Sequence, residues 1–451
     1  MRDDRDLESS LLAGAAKVDI TPDRPVWMDG MVRSHPSVGV HDPLFARALV
    51  LANGRQPQDS FALVALDVCS LGDTHSTAAR QAVAERTGLP PGQVVIAATH
   101  THSGPATMGY FNPAEPAYTR ELVERVAQAV AQAAAGLQPA AVGWGCGREE
   151  TISHYRRLLA ADGRVVMNWE PCPPEQIVRP LGEADPEVTV LQVVGADSPH
   201  QPICLLFHHA GHPNVMSGDN YLLSADYPGV AAGLLEAAWG GLALFLNGAQ
   251  GSVDIDGLRH RDWAGMARAG ASLARAVSEA AHSITPSHQA LVRMETCRYH
   301  LPGRRLTPEE WAWAEQVLAR TEGKVAPLAD GVGEDFKAVF YRELRRAGGR
   351  PLPVEQQCLT VAGGALLTFP GELYTEIGRR IKGQSPFTPT CLVGLAGGDV
   401  GYVPTAQAIR EGGYAEETRR VDESAEQIVV KQSLALLSAA CERQAEEQEH
   451  E

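Results

Sequence analysis

The segment VVIAATHTHSGP, residues 94–105, runs an apolar stretch directly into His100 and His102 and then into a Ser-Gly-Pro turn. Side chains two apart at a strand end point to one face, so both imidazoles can reach a single metal ion or a single substrate. Neutral imidazole is the commonest protein ligand for zinc; the plainer alternative is a polar strand end with satisfied histidines. A second run, LLFHHAGHPNVMSGDNYLLSADYPG from Leu205 to Gly229, repeats the arrangement, an apolar strand emptying into a loop that carries His208, His209 and His212. For His208 and His209 a capping or backbone hydrogen bond is the favoured reading. In ALLTFPGELYTEIG, residues 365–378, a buried strand ends at Pro370-Gly371 and presents Glu372 ahead of a helix, where a carboxylate is placed for ligation more than for solvation. Finally, CLVGLAGGDVGYVPT from Cys391 carries glycines that permit close backbone approach near Tyr402. On its own, Tyr402 needs nothing beyond a partner for its hydroxyl.

Strands must carry these segments, and the sequence supplies them: apolar runs from Phe61, Val94, Ile203, Leu242 and Ala365 alternate with Ala-rich amphipathic stretches. That alternation predicts an α/β architecture. Between the first two strands, Asp73 or Thr74 caps a helix carrying Ala78, Ala82 and Val83 inward, and Gly88 closes it, which makes one βαβ-like unit. Further helices are predicted over 121–135, 229–238, 263–282 and 308–320. The more charged stretch 305–350 is an inserted helical pair, read first as a surface excursion and second as a lid over the site. No repeat and no Pro/Ser-rich linker divides the chain, so a single domain is expected over 12–440, followed by a solvated acidic tail, 441–451.

The balance of 39 Lys plus Arg against 55 Asp plus Glu, formally −16, argues against a nucleic-acid partner, which requires a positive surface. The N-terminus mixes both charges and has no apolar h-region, so neither a signal peptide nor an integral membrane segment is expected, and the chain reads as cytoplasmic. Eight cysteines lie scattered without CxxC spacing, which suits reduced core thiols. Nothing in the sequence reports the oligomeric state.

In order, AGAAKVDITP at Ala13, HDPLFARALVL at His41, ATHTHSGP, Arg156-Arg157, DPEVTVLQV at Asp185, GHPNVM, SADYPG, FPGELYTEIG, GYVPT and EGGY resemble the motifs of the neutral, non-lysosomal ceramidases and of the bacterial proteins that share their catalytic domain. The resemblance covers almost the whole chain. It implies mixed β-sheets flanked by helices, without the additional C-terminal β-rich domain of longer members. It further implies one catalytic zinc held by His100, His212, Glu372 and Tyr402, with a coordination position left for water, as catalytic zinc requires. His102 is implied beside the metal, suited to the developing oxyanion or the leaving group. Arg156 and Tyr414 match positions that line the site and contact substrate.

Two departures stand out. Ceramidases place a reactive serine in a Gly-Asp-Val-Ser-Pro-Asn run, where LALFLNGAQGSVDID has Asp254, with Ser252 two residues early. The asparagine expected ahead of the tyrosine is replaced by Gly397. Either Ser252 is displaced into the nucleophile's role or hydrolysis uses metal-activated water with Asp254 or His102 handling protons. The second is preferred, because a bare serine needs a base aimed at it. The expectation is a zinc-dependent amidohydrolase acting on the linear N-acyl bond of a small-molecule or lipid-like amide. The alternatives are a zinc esterase or lactonase, and a non-catalytic zinc-binding relative.

Overall fold

A run such as FALVAL, apolar at consecutive positions, suits a strand buried on both faces. In the computed structural model, which describes residues 11–255 and 261–448, every residue of Ser60–Leu66 is buried. This strand belongs to an eight-stranded mixed sheet with the order 242–247, 198–209, 187–195, 138–148, 12–19, 45–52, 60–66, 94–98. The sheet is antiparallel in its middle and parallel at both ends, where 60–66 pairs with 94–98 and 198–209 with 242–247. Parallel neighbours need a crossover. The helices α1 (Asp73–Thr87) and α3 (Asp226–Trp239) provide them.

Helices α1 and α2 (Pro116–Ala135) cover the outer face of one half, over Ala46, Val50, Val64 and Ile96. Helices α3 and α4 (Trp263–His282) cover the other half, over Val188, Val190, Phe207 and Phe245. The alternate side chains, Leu49, Leu63, Val95, Leu191, Leu206 and Leu244, meet on the inner face in one core. That core also receives Leu359, Val361 and Val393 of a second sheet, ordered 293–301, 352–361, 364–368, 390–393. The two edges of the large sheet approach one another: Asn247 Nδ2 donates to Thr99 O at 3.2 Å. Residues 394–397 are wedged between them, with Gly394 N donating to Asn247 O (2.9 Å) and Gly397 N to Ile96 O (2.9 Å), while Ala98 N donates to Leu395 O (3.1 Å). The architecture is thus α/β, mixed sheets flanked by helices, as the sequence predicts.

Several expectations need correction. In α1 the N-cap is Gly72, not Asp73 or Thr74, and Ala79 is buried where Ala78 faces solvent; Gly88 does close the helix, at φ 77°. Helix α2 starts five residues before the predicted Glu121, since Pro116 suits a first helical turn. Helices α5 (Pro308–Thr321) and α6 (Glu334–Ala347) form the predicted pair, the first with a Thr307–Glu310 capping box. The pair is more than a surface excursion, because α6 walls the cavity described below. The final helix runs from Ala425 to Gln448 straight through the expected start of the tail, and Arg443 pairs with Glu295 at 2.9 Å; Glu449 onwards lies outside the described residues. Only Cys69, Cys204, Cys358 and Cys391 are buried, whereas Cys146 is exposed and Cys172, Cys297 and Cys441 are half-buried. Among the described residues no helix is long and apolar enough to cross a membrane.

Candidate metal centre and active site

The loops carrying the candidate metal ligands, His102 and Asp254 each leave the carboxyl end of a strand in a parallel pair, the end at which open α/β sheets bind ligands. Strand 94–98 delivers His100 and His102, and strand 198–209 delivers His212. Strand 242–247 leads to Asp254. Strands 364–368 and 390–393, parallel neighbours in the second sheet, lead to Glu372 and Tyr402, which then pair with each other in parallel register. Backbone bonds lace the loops together: His102 N donates to Pro213 O (3.0 Å), Gly251 N to Leu373 O (2.8 Å) and Glu372 N to Gly401 O (3.0 Å).

The two histidines of the THTH run converge for a different reason from the one the alternation argument supplies. The strand has already ended, and His100 adopts φ 76°, a left-handed conformation that non-glycine residues seldom hold outside over-determined sites. The chain thereby turns back on itself. His100 Nε2 lies 3.1 Å from His212 Nε2, 3.3 Å from His102 Nε2 and 3.4 Å from Glu372 Oε2. Gly30, at φ 84°, packs its Cα on the His102 ring, where an added Cβ would fall 2.3 Å from Cγ.

Donor atoms of His100, His212 and Glu372 all lie within 4.8 Å of one another and are buried. Metal bonds of about 2.0–2.1 Å set tetrahedral neighbours about 3.3 Å apart, which the measured 3.1 and 3.4 Å approach. Glu372 Oε2 is buried and accepts no hydrogen bond, a costly condition that a cation would relieve. Burial works against a charge on His100, but Cys69 and Glu372 outweigh it and hold the ring well above the ordinary histidine range; with a cation in place, Nδ1, 2.7 Å from Cys69 O, would keep its proton on that carbonyl and leave Nε2 to ligate. Burial, then the neighbouring His100, then the surrounding arginines hold His102 well below the ordinary histidine range; burial, His100 and His102 do the same to His212. Both are neutral donors at physiological pH. The residues therefore fit a divalent metal.

Arg156, 1% exposed, has its guanidinium over the rings of Tyr402 (4.9 Å), Trp169 (5.6 Å) and Tyr414 (5.6 Å), and Nη2 donates to Gly251 O at 2.7 Å. Burial works against its charge, but Tyr402, Tyr374, Asp254 and Glu372 outweigh it and keep the group cationic. Burial and then Glu372 push the Tyr402 phenol well up, with Arg156 opposing. Tyr402 thus stays protonated unless a metal at its oxygen favours the phenolate.

Asp254 lines the cavity; its Oδ1 accepts from Ile255 N at 2.7 Å and pairs with Arg261 at 3.5 Å. Ser252 does not line it. Its Oγ accepts from Thr375 N (2.9 Å), contacts Thr375 Oγ1 (2.8 Å) and donates to Glu376 Oε2 (3.2 Å), which corrects the less favoured alternative that it is displaced into the nucleophile's role. His208 Nε2 meets Leu392 O (2.7 Å), and His209 lies between Ser153 Oγ (3.3 Å) and Glu187 O (3.2 Å), so both are structural.

Three residues at the site escaped the sequence reading. Cys69 has its sulfur 3.6 Å from His100 Nδ1, and burial pushes its thiol up to about 11. Asp29 and Asp399 both line the cavity. Asp399 stands inside the glycine-rich run already noted, whereas Asp29, in VWMDGMVR, carried no pattern. The cavity itself, ≈ 630 Å³, has His100, His102, His212 and Glu372 at its base. Its apolar wall includes Met108, Phe111 and, from α6, Phe336, Val339 and Phe340; Phe111 and Phe336 stack at 5.0 Å. A pocket of this size and lining takes a small organic ligand.

Residues 11–248, more than half of the 451, match the family model described as neutral/alkaline non-lysosomal ceramidase, N-terminal. The fold is similar to that of neutral ceramidase from Pseudomonas aeruginosa, with a TM-score of 0.73 and 18% identity over 96% of this chain and 75% of that one. It is also similar to a ceramidase complexed with C2, with a TM-score of 0.71 and 18% identity over 96% of this chain and 76% of that one.

Proposed function

The chain belongs to the neutral/alkaline non-lysosomal ceramidase family, and from that premise we propose that it is a zinc-dependent amidohydrolase cleaving the N-acyl bond of a small or lipid-like amide with water as nucleophile. The zinc ligands in this reading are His100, His212 and Glu372, with Tyr402 as the fourth. Zinc bound there would polarise the scissile carbonyl and acidify a water molecule toward neutral pH. The chain's own residues do the rest. Arg156, fixed by three rings and the Gly251 carbonyl, is a rigid cation for the developing oxyanion, and a donor placed in advance costs no reorganisation during the reaction. Neutral His102, whose Nδ1 has no partner, hydrogen-bonds the developing oxyanion or the leaving nitrogen. Asp254, held by Ile255 N and Arg261, orients the attacking water, takes its proton and delivers it to the leaving amine. Tyr414 keeps Arg156 in place and closes the wall beside Tyr402, 5.7 Å away ring to ring.

The convergence of His100, His212 and the unpartnered Glu372 Oε2 carries this reading. Metal analysis with turnover of N-acyl chromogenic amides tests it. Purified protein is expected to hold one zinc per chain, and His100→Ala or Glu372→Ala to lose both zinc and activity; metal-free protein with undiminished turnover would refute the scheme.

A further inference from the structure

The cavity's charges are paired unevenly. Asp254 and Asp330 share Arg261, at 3.5 and 3.0 Å. Glu372 faces the metal position, and Arg156 is enclosed by aromatic rings. Asp29 and Asp399 remain. Asp29 is 1% exposed; its Oδ1 accepts from Gly30 N at 3.1 Å, and its Oδ2, buried at the cavity lining, accepts no hydrogen bond. Asp399, half-buried, has Oδ1 occupied by Gly401 N at 2.7 Å.

The nearby Arg33 and Arg420 attract these carboxylates, and Ser70 hydrogen-bonds Asp399, but the guanidiniums are spent on other acceptors. Arg33 spends its guanidinium on the carbonyls of Asp29 (3.0 Å), His102 (2.8 Å) and Asn220 (2.9 Å), and Arg420 donates to Tyr110 Oη (2.9 Å) and Asp399 O (3.1 Å). Among the described residues neither makes an ion pair with either carboxylate. Burial first, and then repulsion from Asp399, push the Asp29 carboxyl up to about 6 against the opposing pull of Gly30 N, Met108 N and Arg33. A buried, unpaired carboxylate is expensive to keep. A chain that keeps one at a ligand cavity implies a ligand that compensates it.

We propose that Asp29 and Asp399 form a subsite for a protonated amino group of the substrate, placed beside the metal centre by the contact between Gly30 and His102. The preferred amides would then be N-acylated amines bearing a second, cationic amine within a few bonds of the scissile carbonyl. An ammonium suits the pair better than a second metal does, because the two carboxylates belong to no cluster of three close His, Cys, Asp or Glu donors among the described residues. Three N–H groups ask only for acceptors, whereas a divalent cation needs further ligands. A neutral hydroxyl could donate to Oδ2 but would leave the charge uncompensated.

This subsite rests on the amidohydrolase reading, and the experiment separates the two. N-octanoyl-ethylenediamine and N-octanoyl-ethanolamine differ only in a terminal ammonium against a hydroxyl. The wild-type protein is expected to favour the ammonium amide in kcat/KM by about 10- to 100-fold, as one or two charge-assisted hydrogen bonds give, and Asp29→Asn or Asp399→Asn to bring the ratio toward one. Equal turnover of the two amides by wild type overturns the subsite and leaves the hydrolase standing. If neither amide is cleaved, the hydrolase reading fails, and calorimetry with octylammonium and 1-octanol decides the subsite alone: at least tenfold tighter ammonium binding upholds it, and equal binding overturns it. Two separate single variants guard against one failing to fold, and the wild-type comparison needs neither.

Discussion

Replacing Ser252 by alanine separates the two nucleophile readings, because the structure assigns this hydroxyl a load that is structural. Thr375 is the first residue of α7 (Thr375–Lys382), where backbone N–H groups have no partner within the helix. Ser252 Oγ accepts that N–H at 2.9 Å and is fully buried, so the alanine variant leaves a buried donor unsatisfied at a cost of about 1–3 kcal/mol. At roughly 2.1 cal/mol/K per residue, unfolding a chain of this length carries an entropy near 0.9 kcal/mol/K, so Tm should fall by about 1–3 °C. Turnover well below the melt should change by no more than about threefold, whereas loss of a true nucleophile costs about a thousandfold or more. Asp254→Asn is the counterpart: it removes a proton acceptor from the cavity and should cut kcat by about 10²- to 10⁴-fold with zinc retained. The assay is turnover of a chromogenic N-acyl amide with thermal unfolding and metal content measured on the same preparations. A thousandfold loss in Ser252→Ala, with zinc and fold intact, would refute the assignment of Ser252 to the scaffold.

Arg156→Lys should lower kcat by about 10²- to 10³-fold without loss of metal, since an ammonium cannot hold both the Gly251 carbonyl and a position over three rings; an unchanged kcat would remove Arg156 from the chemistry. Gly30→Ala places a Cβ 2.3 Å from His102 Cγ at φ 84°, and displacement of that ring should cost about tenfold or more in kcat, read beside a circular-dichroism spectrum that shows the fold retained. Asp226 is buried with a carboxyl raised to about 7, chiefly by burial, although Tyr227 N and Val215 N donate to it. A raised acid means the native state holds a proton that the unfolded chain gives up. Its contribution is therefore largest below about pH 4 and is lost as pH rises through about 7, by up to about 4 kcal/mol. Urea unfolding at pH 5.5 and 8 should show a smaller fall in stability for Asp226→Asn than for wild type, and equal falls would exclude Asp226 as the source.

What the sequence made legible follows from where information is local. His100, His212 and Glu372 each sit just past an apolar run, and the end of a strand is marked by its own residues, so these could be singled out locally; that they and Tyr402 form one ligand set was implied by the family resemblance alone. The reason offered for His100 and His102 was nonetheless incomplete: strand alternation cannot operate after Ala98, and the convergence depends on a left-handed turn at His100 that no propensity signals. Helix α6 misled in another way. Its charge marked it as a surface excursion, yet only Ala338 and Tyr341 are spent wholly on α5, while Phe336 and Val339 face the cavity and Phe340 and Leu344 serve both. Asp29 and Asp399 were beyond reach for a third reason. What sets the pair apart is the hydrogen bond missing at Asp29 Oδ2, and a missing partner belongs to the surroundings that the 369 intervening residues create by folding. Local pattern can therefore nominate most of the candidate metal-binding end of this cavity, while the groups proposed to choose among substrates emerge only from the packed structure.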